Sequence, residues 1–369
     1  MTPQEEFCPN KECPDRGKVG AGNMVSHSQK EKRCQCKTCG KTFSVTKGTA
    51  LYGIKKDAAL FVMVVTLLAF GCPVQAIVMA LGLDERTVRS WWLKSGQHSE
   101  RVHESVIGNS QLDLQHVQAD EIKVKTRGGT IWMALALMVS TRLWLGGVVS
   151  RKRDYALIEQ LVAKIRQVAL CRELLLAVDG LVSYVKAFQK AFRSPYPTGK
   201  LGRPRLIAWQ GIHIVQVVKP RTPKPFKIVR RIVQGSEQVI HDLLRRSQGG
   251  SVINTAFIER LNATFRQRIS SLARRSRQAA RQSITLHASM YLVGTVYNFC
   301  VPHHSLRLPI WLSTKRKRWV QRTPAMATGL TDHLWTIEEL MTFKVPPSPY
   351  MPPKRRGRPP KPILQEAAA

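Results

Sequence analysis

Four cysteines near the start of the chain constrain its fold more than any other feature. Cys8-x4-Cys13 is followed after 22 residues by Cys36-x2-Cys39, and Gly40 comes directly after the last cysteine. Each pair is spaced for a short turn, and two facing turns supply four thiolates in the tetrahedral geometry of structural zinc. A segment of about 50 residues buries too little apolar surface to fold alone, so bound metal would supply the folding free energy. We therefore predict a zinc ribbon over residues 1–50.

Cys34 complicates this prediction because it lies two residues before Cys36 and is a competing ligand. We expect its side chain to point away from that of Cys36 and leave it out of the ligand set. Whether Cys34 replaces Cys36 as the ligand stays open. The chain starts without the basic and apolar regions of a secretory signal, which favours metal binding over disulfides for its eight cysteines. We accordingly expect a cytoplasmic, nucleoid-associated protein.

The charge of the chain indicates its partner. The 58 Lys and Arg residues exceed the 24 Asp and Glu residues by 34. Neutralising many phosphates releases counterions, so nucleic acid is the polyanion that best explains this surplus. The surplus excludes an ordinary metabolic enzyme, and a hydrophobic content of 43% excludes a wholly disordered basic protein.

The surplus is concentrated in one region. Residues 180–300 hold 21 basic residues and only three acidic ones, Glu237, Asp242 and Glu259. An acidic catalytic residue in this region therefore has to be one of those three.

Residues 51–108 are predicted to form a helical DNA-binding domain. The longest apolar run, residues 58–71, is shorter than the roughly 20 residues that cross a bilayer and predicts a buried helix. In LGLDERTVRSWW (residues 81–92), Gly82 ends one helix and Asp84 is a suitable N-cap for the next. That second helix turns four polar side chains outward: Arg86, Thr87, Arg89 and Ser90. This is the layout of a helix-turn-helix, whose second helix enters the major groove, and a helical hairpin in a core is the alternative.

From residue 109 the pattern changes to a mixed α/β order. Residues 112–125, 131–139 and 143–150 have the pattern of three strands, 153–168 of a helix and 173–180 of a short apolar strand. Asp120 lies within the first of these strands and Asp179 at the carboxyl end of the fourth. Ligand-binding groups collect at such strand ends in open α/β sheets.

A third acid lies on a helix predicted within residues 254–275. Glu259, Asn262 and Arg266 share a polar face of that helix, away from its apolar stripe. The apolar stripe comprises Phe257, Leu261, Phe265, Ile269 and Leu272. Either Glu259 forms a salt bridge with the neighbouring arginines, or it completes a metal site with Asp120 and Asp179.

Three carboxylates can hold two Mg²⁺ or Mn²⁺ ions, because hard cations prefer oxygen ligands. Such a pair activates a water or a 3′-hydroxyl and stabilises the leaving oxygen in in-line phosphoryl transfer. The ions also relieve the repulsion between these acids and a DNA backbone. From spacing alone, a metal site and unrelated strand-end carboxylates both stay open.

Five motifs follow one another between about residues 8 and 300: CPNKECP with RCQCKTCGKTFS, LGLDERTVRSWW, QADEIKVK, LLAVDGLVSY and NTAFIERLNATFRQR. Their order resembles bacterial insertion-sequence transposases of the DDE type, in which a zinc ribbon and a helix-turn-helix precede a ribonuclease-H-like catalytic domain. The resemblance implies metal-dependent cleavage of double-stranded DNA at transposon ends and strand transfer, by a homo-oligomer that bridges two ends.

The resemblance assigns the catalytic roles to Asp120, Asp179 and Glu259. Glu121 belongs to the same motif as Asp120, but it should point to the opposite face of the strand. We expect three residues of the predicted helix to contact DNA: Arg260, Asn262 and Arg266.

Two regions depart from the resemblance. A basic, proline-rich stretch over about 195–250 has the composition of an insertion in the catalytic domain of residues 109–300, and residues 301–369 that of a basic tail. Within that tail KRRGRPPKP (354–362) resembles an AT-hook, which lays arginines, here Arg356 and Arg358, into a narrow minor groove. A solvated basic tail is the alternative.

Two other functions compete with the transposase. A non-catalytic zinc-ribbon and helix-turn-helix regulator has no use for three converging carboxylates. A ribonuclease-H-like nuclease without strand transfer uses the same fold and metals, and the sequence hardly separates it from the transposase.

Overall fold

The structure is a computed structural model of the 369-residue chain. It describes residues 2–126, 129–196, 199, 202–219, 228–272, 282–311 and 317–352. The packing divides the chain into two compact units, each described by itself. The first contains residues 1–48 with the described residues from Pro346 onward, and the second contains Thr49–Val345.

The first unit is a small antiparallel sheet. Its strands are β1 Met24–Ser28, β2 Arg33–Cys36 and β3 Thr42–Ser44, in the order β1-β2-β3, after a 3-10 helix at Pro3–Glu5. The buried centre of the sheet consists of Met24 and four cysteines, with Phe43 packed against it. Such a centre is far too small to hold the unit together by burial of apolar surface.

The second unit begins with helices. These are α1 Ala58–Ala69, α2 Val74–Leu81 and α3 Glu85–His103, which continues into a π-helix at Glu104–Gly108. Asp84 caps α3, since its carboxylate accepts a hydrogen bond from the backbone N–H of Arg86 at 2.8 Å. Ile77, Val88 and Trp91 are buried at the contacts of these helices.

A mixed six-stranded sheet forms the body of the second unit. The strands are β4 His116–Thr126, β5 Gly129–Met138, β6 Leu143–Ser150, β7 Leu174–Asp179, β8 Arg193–Tyr196, β9 Arg205–Ala208, β10 Ile212–Val218 and β11 Val229–Gln234. The sheet order is β11-β10-β7-β4-β5-β6, while β8 and β9 pair only with each other. β4, β7 and β10 are parallel neighbours, and β5, β6 and β11 are antiparallel to the strands beside them.

Helices cover both faces of this sheet. They are α4 Tyr155–Val168, α5 Val182–Ala191, α6 Glu237–Arg246, α7 Ala256–Arg268 and α8 Ser283–Phe299. α4 and α5 pack on one face, where even-numbered β7 residues such as Leu176 point. On the other face, α6 packs against β7 and β10. α7 and α8 pack there against β4, β5 and β6. The protein is therefore a mixed α/β protein with a cysteine cluster near its N-terminus.

The helical segment and the sheet share one core. α3 lies against α8 so closely that a Cβ at Gly96 would come within 2.4 Å of the carbonyl oxygen of Ala288. Glycine is required at this crossing because any side chain would push the helices apart. Residues 51–108 are therefore packed into the same compact unit as the sheet.

One stretch of the described chain, Ser283–Leu306, is long and apolar enough to cross a membrane. Two thirds of its most apolar window, 67%, is buried inside the protein, where α8 contacts α3 and β6. The apolar run at residues 58–71 forms α1, whose Phe61, Val64 and Leu68 are buried as well.

The predicted basic insertion and the predicted tail both need correction. Within 195–250, β10 is a buried strand of the main sheet, paired in parallel with β7, so this stretch is not an insertion throughout. After residue 300 follow β12 Leu308–Trp311, β13 Lys317–Val320, α9 Pro324–Thr328 and α10 Ile337–Thr342. Trp335 stacks on Phe299 and Phe343, at 4.5 and 5.1 Å between ring centroids, so residues 321–345 belong to the core rather than to a tail.

Candidate active site and metal centres

The four predicted zinc ligands converge in the first unit. The sulfur atoms of Cys8, Cys13, Cys36 and Cys39 all lie within 4.8 Å of one another. Two of the distances are 3.6 Å for Cys8–Cys39 and 3.9 Å for Cys13–Cys36. This is a donor set of four thiolates from two turns, which suits a tetrahedral structural zinc ion.

The second cysteine pair lies on a tight turn after β2. The backbone N–H of Gly40 donates to the carbonyl oxygen of Cys36 at 2.8 Å, and Gly40 has a left-handed φ of 69°. Burial acts to raise the pKa of Cys39, but the backbone N–H of Lys41 and neighbouring side chains outweigh it and lower this pKa to about 7. Burial raises the pKa of Cys8 well above its usual range. A cation bound between these thiols would relieve that cost.

Cys34 is outside this group of four. Our reason for leaving it out was nevertheless wrong, since residues two positions apart on a strand face the same side. Cys34 and Cys36 are indeed buried in the same small cluster. Cys36 differs because it ends β2 and begins the turn that carries Cys39.

The second cluster is acidic and forms where two strands separate. β4 and β7 are paired up to Ala119 and Val178, and Asp120 and Asp179 are the next residues of each. Carboxylate oxygens of Asp120, Glu121 and Asp179 lie within 4.8 Å of one another. Because the strands are parallel neighbours, the point where their pairing ends places Asp120 and Glu121, in the middle of β4, beside Asp179 at the carboxyl end of β7.

Glu121 joins this cluster from the other face of the sheet. Asp120 points towards α7, as Ile122 does, whereas Glu121 points towards α5, where its carboxylate interacts with Tyr184. The side chain of Glu121 is only 1% exposed, and Arg153 donates to it at 2.9 Å and to Asp179 at 3.3 Å. Burial and the charge of Asp179 raise the pKa of Glu121, although Arg153 and Tyr184 act in the opposite direction. Glu121 therefore joins the cluster although its side chain and that of Asp120 point to opposite faces of the sheet.

Asp120 is held by α7. The Asn262 side-chain amide donates a hydrogen bond to its Oδ2 atom at 2.8 Å. Burial, followed by the charge of Glu121, raises the pKa of Asp120 to about 7. The expectation that Asn262 contacts DNA does not fit its position, because the residue is 1% exposed and lies against Asp120.

α7 is fixed to β4 by a buried glutamine. The side-chain oxygen of Gln118 accepts hydrogen bonds from the backbone N–H groups of Phe257 and Ile258, at 3.1 and 3.0 Å. Its amide nitrogen donates to the carbonyl oxygen of Asn254 at 2.8 Å. Gln118 therefore satisfies first-turn donors of α7 that no carbonyl within the helix can reach.

Glu259 lies in the first turn of α7 and lines the same cavity as Asp120 and Asp179. This cavity has a volume of about 460 Å³, and Arg153, Lys219 and Thr255 also line it. The Glu259 carboxylate is not among those that lie within 4.8 Å of one another in the acidic cluster. Its carboxylate accepts hydrogen bonds from Lys219 at 2.6 Å and from Thr255 at 2.9 Å. Partial burial acts to raise the pKa of Glu259, but these two partners lower it.

The remaining predicted DNA contacts fall into three groups. On α3, Arg86, Arg89 and Ser90 are exposed and Thr87 is half-buried, while Arg89 pairs with Glu85 at 2.5 Å. On α7, Arg260 is exposed and Arg266 is half-buried. Arg356 and Arg358, with the whole of 354–362, lie outside the described residues.

Sequence reasoning missed four residues that shape the acidic site: Gln118, Glu121 as a member of the cluster, Arg153 and Lys219. Gln118 and Glu121 lie on the same strand as Asp120, so their proximity was available from the motif. Arg153 and Lys219 approach from loops 32 and 40 residues away from the acids they contact, and no local pattern marks them.

No protein-family model matches this chain, and no curated protein is significantly similar to it.

Proposed function

We propose that the chain is a DDE transposase, which cleaves DNA at transposon ends and joins these ends to target DNA, acting as a homo-oligomer. The observation that carries the proposal is the common cavity lined by Asp120, Asp179 and Glu259, which come from β4, the end of β7 and α7. These acids are spread over 140 residues, and a protein that only binds DNA has no need to bring them together.

The sheet supports a ribonuclease-H-like catalytic domain. Strands β6, β5 and β4 form an antiparallel meander, and β7 and β10 follow on the other side of β4, parallel to it. This is the order expected of that fold, with the first aspartate on the central strand and the second at the end of its parallel neighbour.

The acidic cluster fits divalent metal. Burial raises the pKa of both Asp120 and Glu121, and the Oε1 atom of Glu121 is buried with no hydrogen-bond donor in bonding geometry among the described residues. Carboxylate oxygens are the donors that Mg²⁺ or Mn²⁺ prefers. Asp120, Asp179 and Glu259 would hold two such ions, which when bound activate the attacking hydroxyl and stabilise the leaving oxygen.

The surrounding residues prepare the acids for this role. Asn262 holds one carboxylate oxygen of Asp120, a residue that lines the cavity, while Gln118 keeps α7 against β4. Arg153 forms ion pairs with Glu121 and Asp179, and Lys219 forms one with Glu259. Both cations line the cavity, so they are also suitably located to bind the phosphates of a DNA strand.

Two further features support a DNA substrate. The thiolate cluster would hold a structural zinc ion in the first unit. α3 begins at a capped turn and exposes Arg86 and Arg89, as the second helix of a helix-turn-helix does.

The test is cleavage of a labelled duplex copied from the DNA that flanks the coding region, with Mg²⁺. We expect Asp120→Asn, Asp179→Asn and Glu259→Gln to abolish cleavage and to leave duplex binding within about twofold of the wild type, because a phosphate-binding surface survives them. Glu237→Gln is the matched control, since Glu237 is an exposed carboxylate of α6 outside the cavity.

Each alternative has its own outcome in this experiment. A wild-type chain that binds the duplex but never cleaves it would favour the regulator. Cleavage without joining of the released 3′ end to a second duplex would favour the nuclease.

A further inference from the structure

Among the residues that the structure describes, the antiparallel pair β12–β13 carries the exposed tryptophans of the second unit. Residues 308–311 and 318–320 are all exposed, including Trp311 at 68% and Trp319 at 40%. A two-stranded hairpin is at best marginally stable in water, so exposed tryptophans on such an element need an explanation other than folding.

The hairpin is anchored at its base. The backbone N–H of His303 donates to the carbonyl oxygen of Arg322 at 2.9 Å, and the Arg322 guanidinium donates to that of Leu306 at 2.9 Å. The His303 ring also packs edge-on against Tyr297 of α8, at 6.4 Å between centroids. The strands thus extend from a fixed point of the core.

The register separates two chemically different faces. Pro309 lies opposite Trp319 and Trp311 opposite Lys317, so both tryptophans share one face as diagonal neighbours. Leu308, Ile310, Arg318 and Val320 share the other face. The Arg307 guanidinium lies over the Trp319 ring at 3.9 Å from its centroid, which holds the ring and adds a positive charge beside it.

In the sequence, the segment that contains the hairpin carries charge of one sign. Residues 301–331 contain six basic residues and no acidic ones. Exposed aromatic rings with basic neighbours are the features by which proteins bind single-stranded nucleic acid: the bases stack on the rings and the phosphates contact the cations. A duplex keeps its bases stacked internally and would leave the tryptophans unused.

We propose that the tryptophan face of the β12–β13 hairpin binds single-stranded DNA, with unpaired bases stacked on Trp311 and Trp319. The inference does not depend on the carboxylate site, because it concerns a separate element and needs no metal. It adds to the chain a site for DNA in which the strands have come apart.

The experiment measures binding of the full chain to a fluorescent oligothymidine and to a blunt duplex of equal length, without divalent metal. Trp311→Ala with Trp319→Ala should weaken single-strand binding by about 10- to 100-fold and change duplex binding by less than about threefold. Replacing both tryptophans with Phe, which keeps an aromatic face, should restore most of the affinity.

Leu308→Ala with Ile310→Ala is the matched control, because it truncates the opposite face of the same hairpin. Unchanged single-strand affinity in the tryptophan double variant, or an equal loss in this control, would overturn the proposal. So would stronger binding of the wild type to vesicles with anionic phospholipid than to the oligonucleotide, since basic tryptophan-bearing surfaces also suit membranes. Thermal unfolding of each variant verifies that the fold is intact.

Discussion

The thiolate cluster and the carboxylate cluster are both suited to metal, yet they are built in opposite ways. Cys8, Cys13, Cys36 and Cys39 come from one short segment, and their ligand set has no counter-charge from Lys or Arg among its hydrogen-bond partners in the described residues. The acids come from β4, β7 and α7, and three of them form ion pairs with Arg153 or Lys219.

Under the proposed function, this difference separates a metal ion that would fold a protein from metal ions that would take part in a reaction. The first unit has almost no core besides its cysteines, so a structural metal ion would supply most of its stability. The second unit has an extensive core of its own, and its acids lie at the edge of that core around an open cavity. Removal of metal should therefore unfold the first unit and leave the second folded.

The largest effect should follow from loss of a zinc ligand. Cys36→Ser should release zinc and unfold residues 1–48, because structural zinc contributes on the order of 10 kcal/mol in small metal-binding domains. Zinc content and amide exchange of the first unit measure this directly. Cys34→Ala is the matched control and should retain the metal, while full zinc content in the Cys36 variant would contradict the ligand assignment.

Whereas Cys36→Ser should unfold the first unit, Asp120→Asn should stabilise the second. The pKa of Asp120 is raised to about 7 from 3.8, so the folded protein binds this proton more tightly than the unfolded chain does. The stability that this tighter proton binding contributes is fully present below about pH 4 and is lost as the pH rises through about 7. The neutral amide avoids that loss, so without metal the variant should be more stable than the wild type at pH 8 by about 2–4 kcal/mol.

Thermal unfolding at pH 5 and pH 8 measures this effect, and the gain should be smaller at pH 5. Because a proton and a cation compete for Asp120, Mg²⁺ should stabilise the wild type more at pH 8 than at pH 6. A variant that is destabilised at pH 8 would show that Asp120 is compensated by its neighbours.

Gln118→Ala should have an intermediate effect. It leaves two backbone N–H groups of α7 without their acceptor, which costs about 1–3 kcal/mol in a buried position. The rate of DNA cleavage should fall by more than the loss of folded protein explains, because Glu259 loses its fixed position relative to Asp120. Unchanged cleavage by a folded variant would show that the start of α7 is held by other contacts.

The smallest effect on stability is expected for Lys219→Ala. Both partners of the Lys219–Glu259 pair are about half exposed, so the pair contributes about 0–1 kcal/mol. Its loss should instead raise the pKa of Glu259 towards the ordinary value and strengthen Mg²⁺ binding several-fold. Calorimetric titration with Mg²⁺ measures this, and Lys190→Ala, which removes an exposed pair with Glu159 on α4, is the control.

The sequence was most informative about candidate site residues that lie within short sequence motifs. The predicted zinc ligands and Asp120, Asp179 and Glu259 lie in short motifs, and all of them are found at the two clusters or the cavity. The counter-charges could not be predicted, since Arg153 and Lys219 reach the acids only through the fold.

The fold was predictable to a similar extent. The strands that carry the acids follow from apolar runs, but β10 is hidden in a basic, proline-rich stretch. Trp335 and α10 are separated from the core in sequence by the exposed hairpin, so composition alone suggested a tail.

Gln118 also bears on how chains of this kind can diverge. It joins the start of α7 to the strand of Asp120, so the position of Glu259 does not depend on the exposed hairpin β8–β9 that lies between the two in the chain. This hairpin could lengthen or change its basic residues without shifting the third acid. Adaptation to new DNA sequences and preservation of the chemistry would then be separate evolutionary problems.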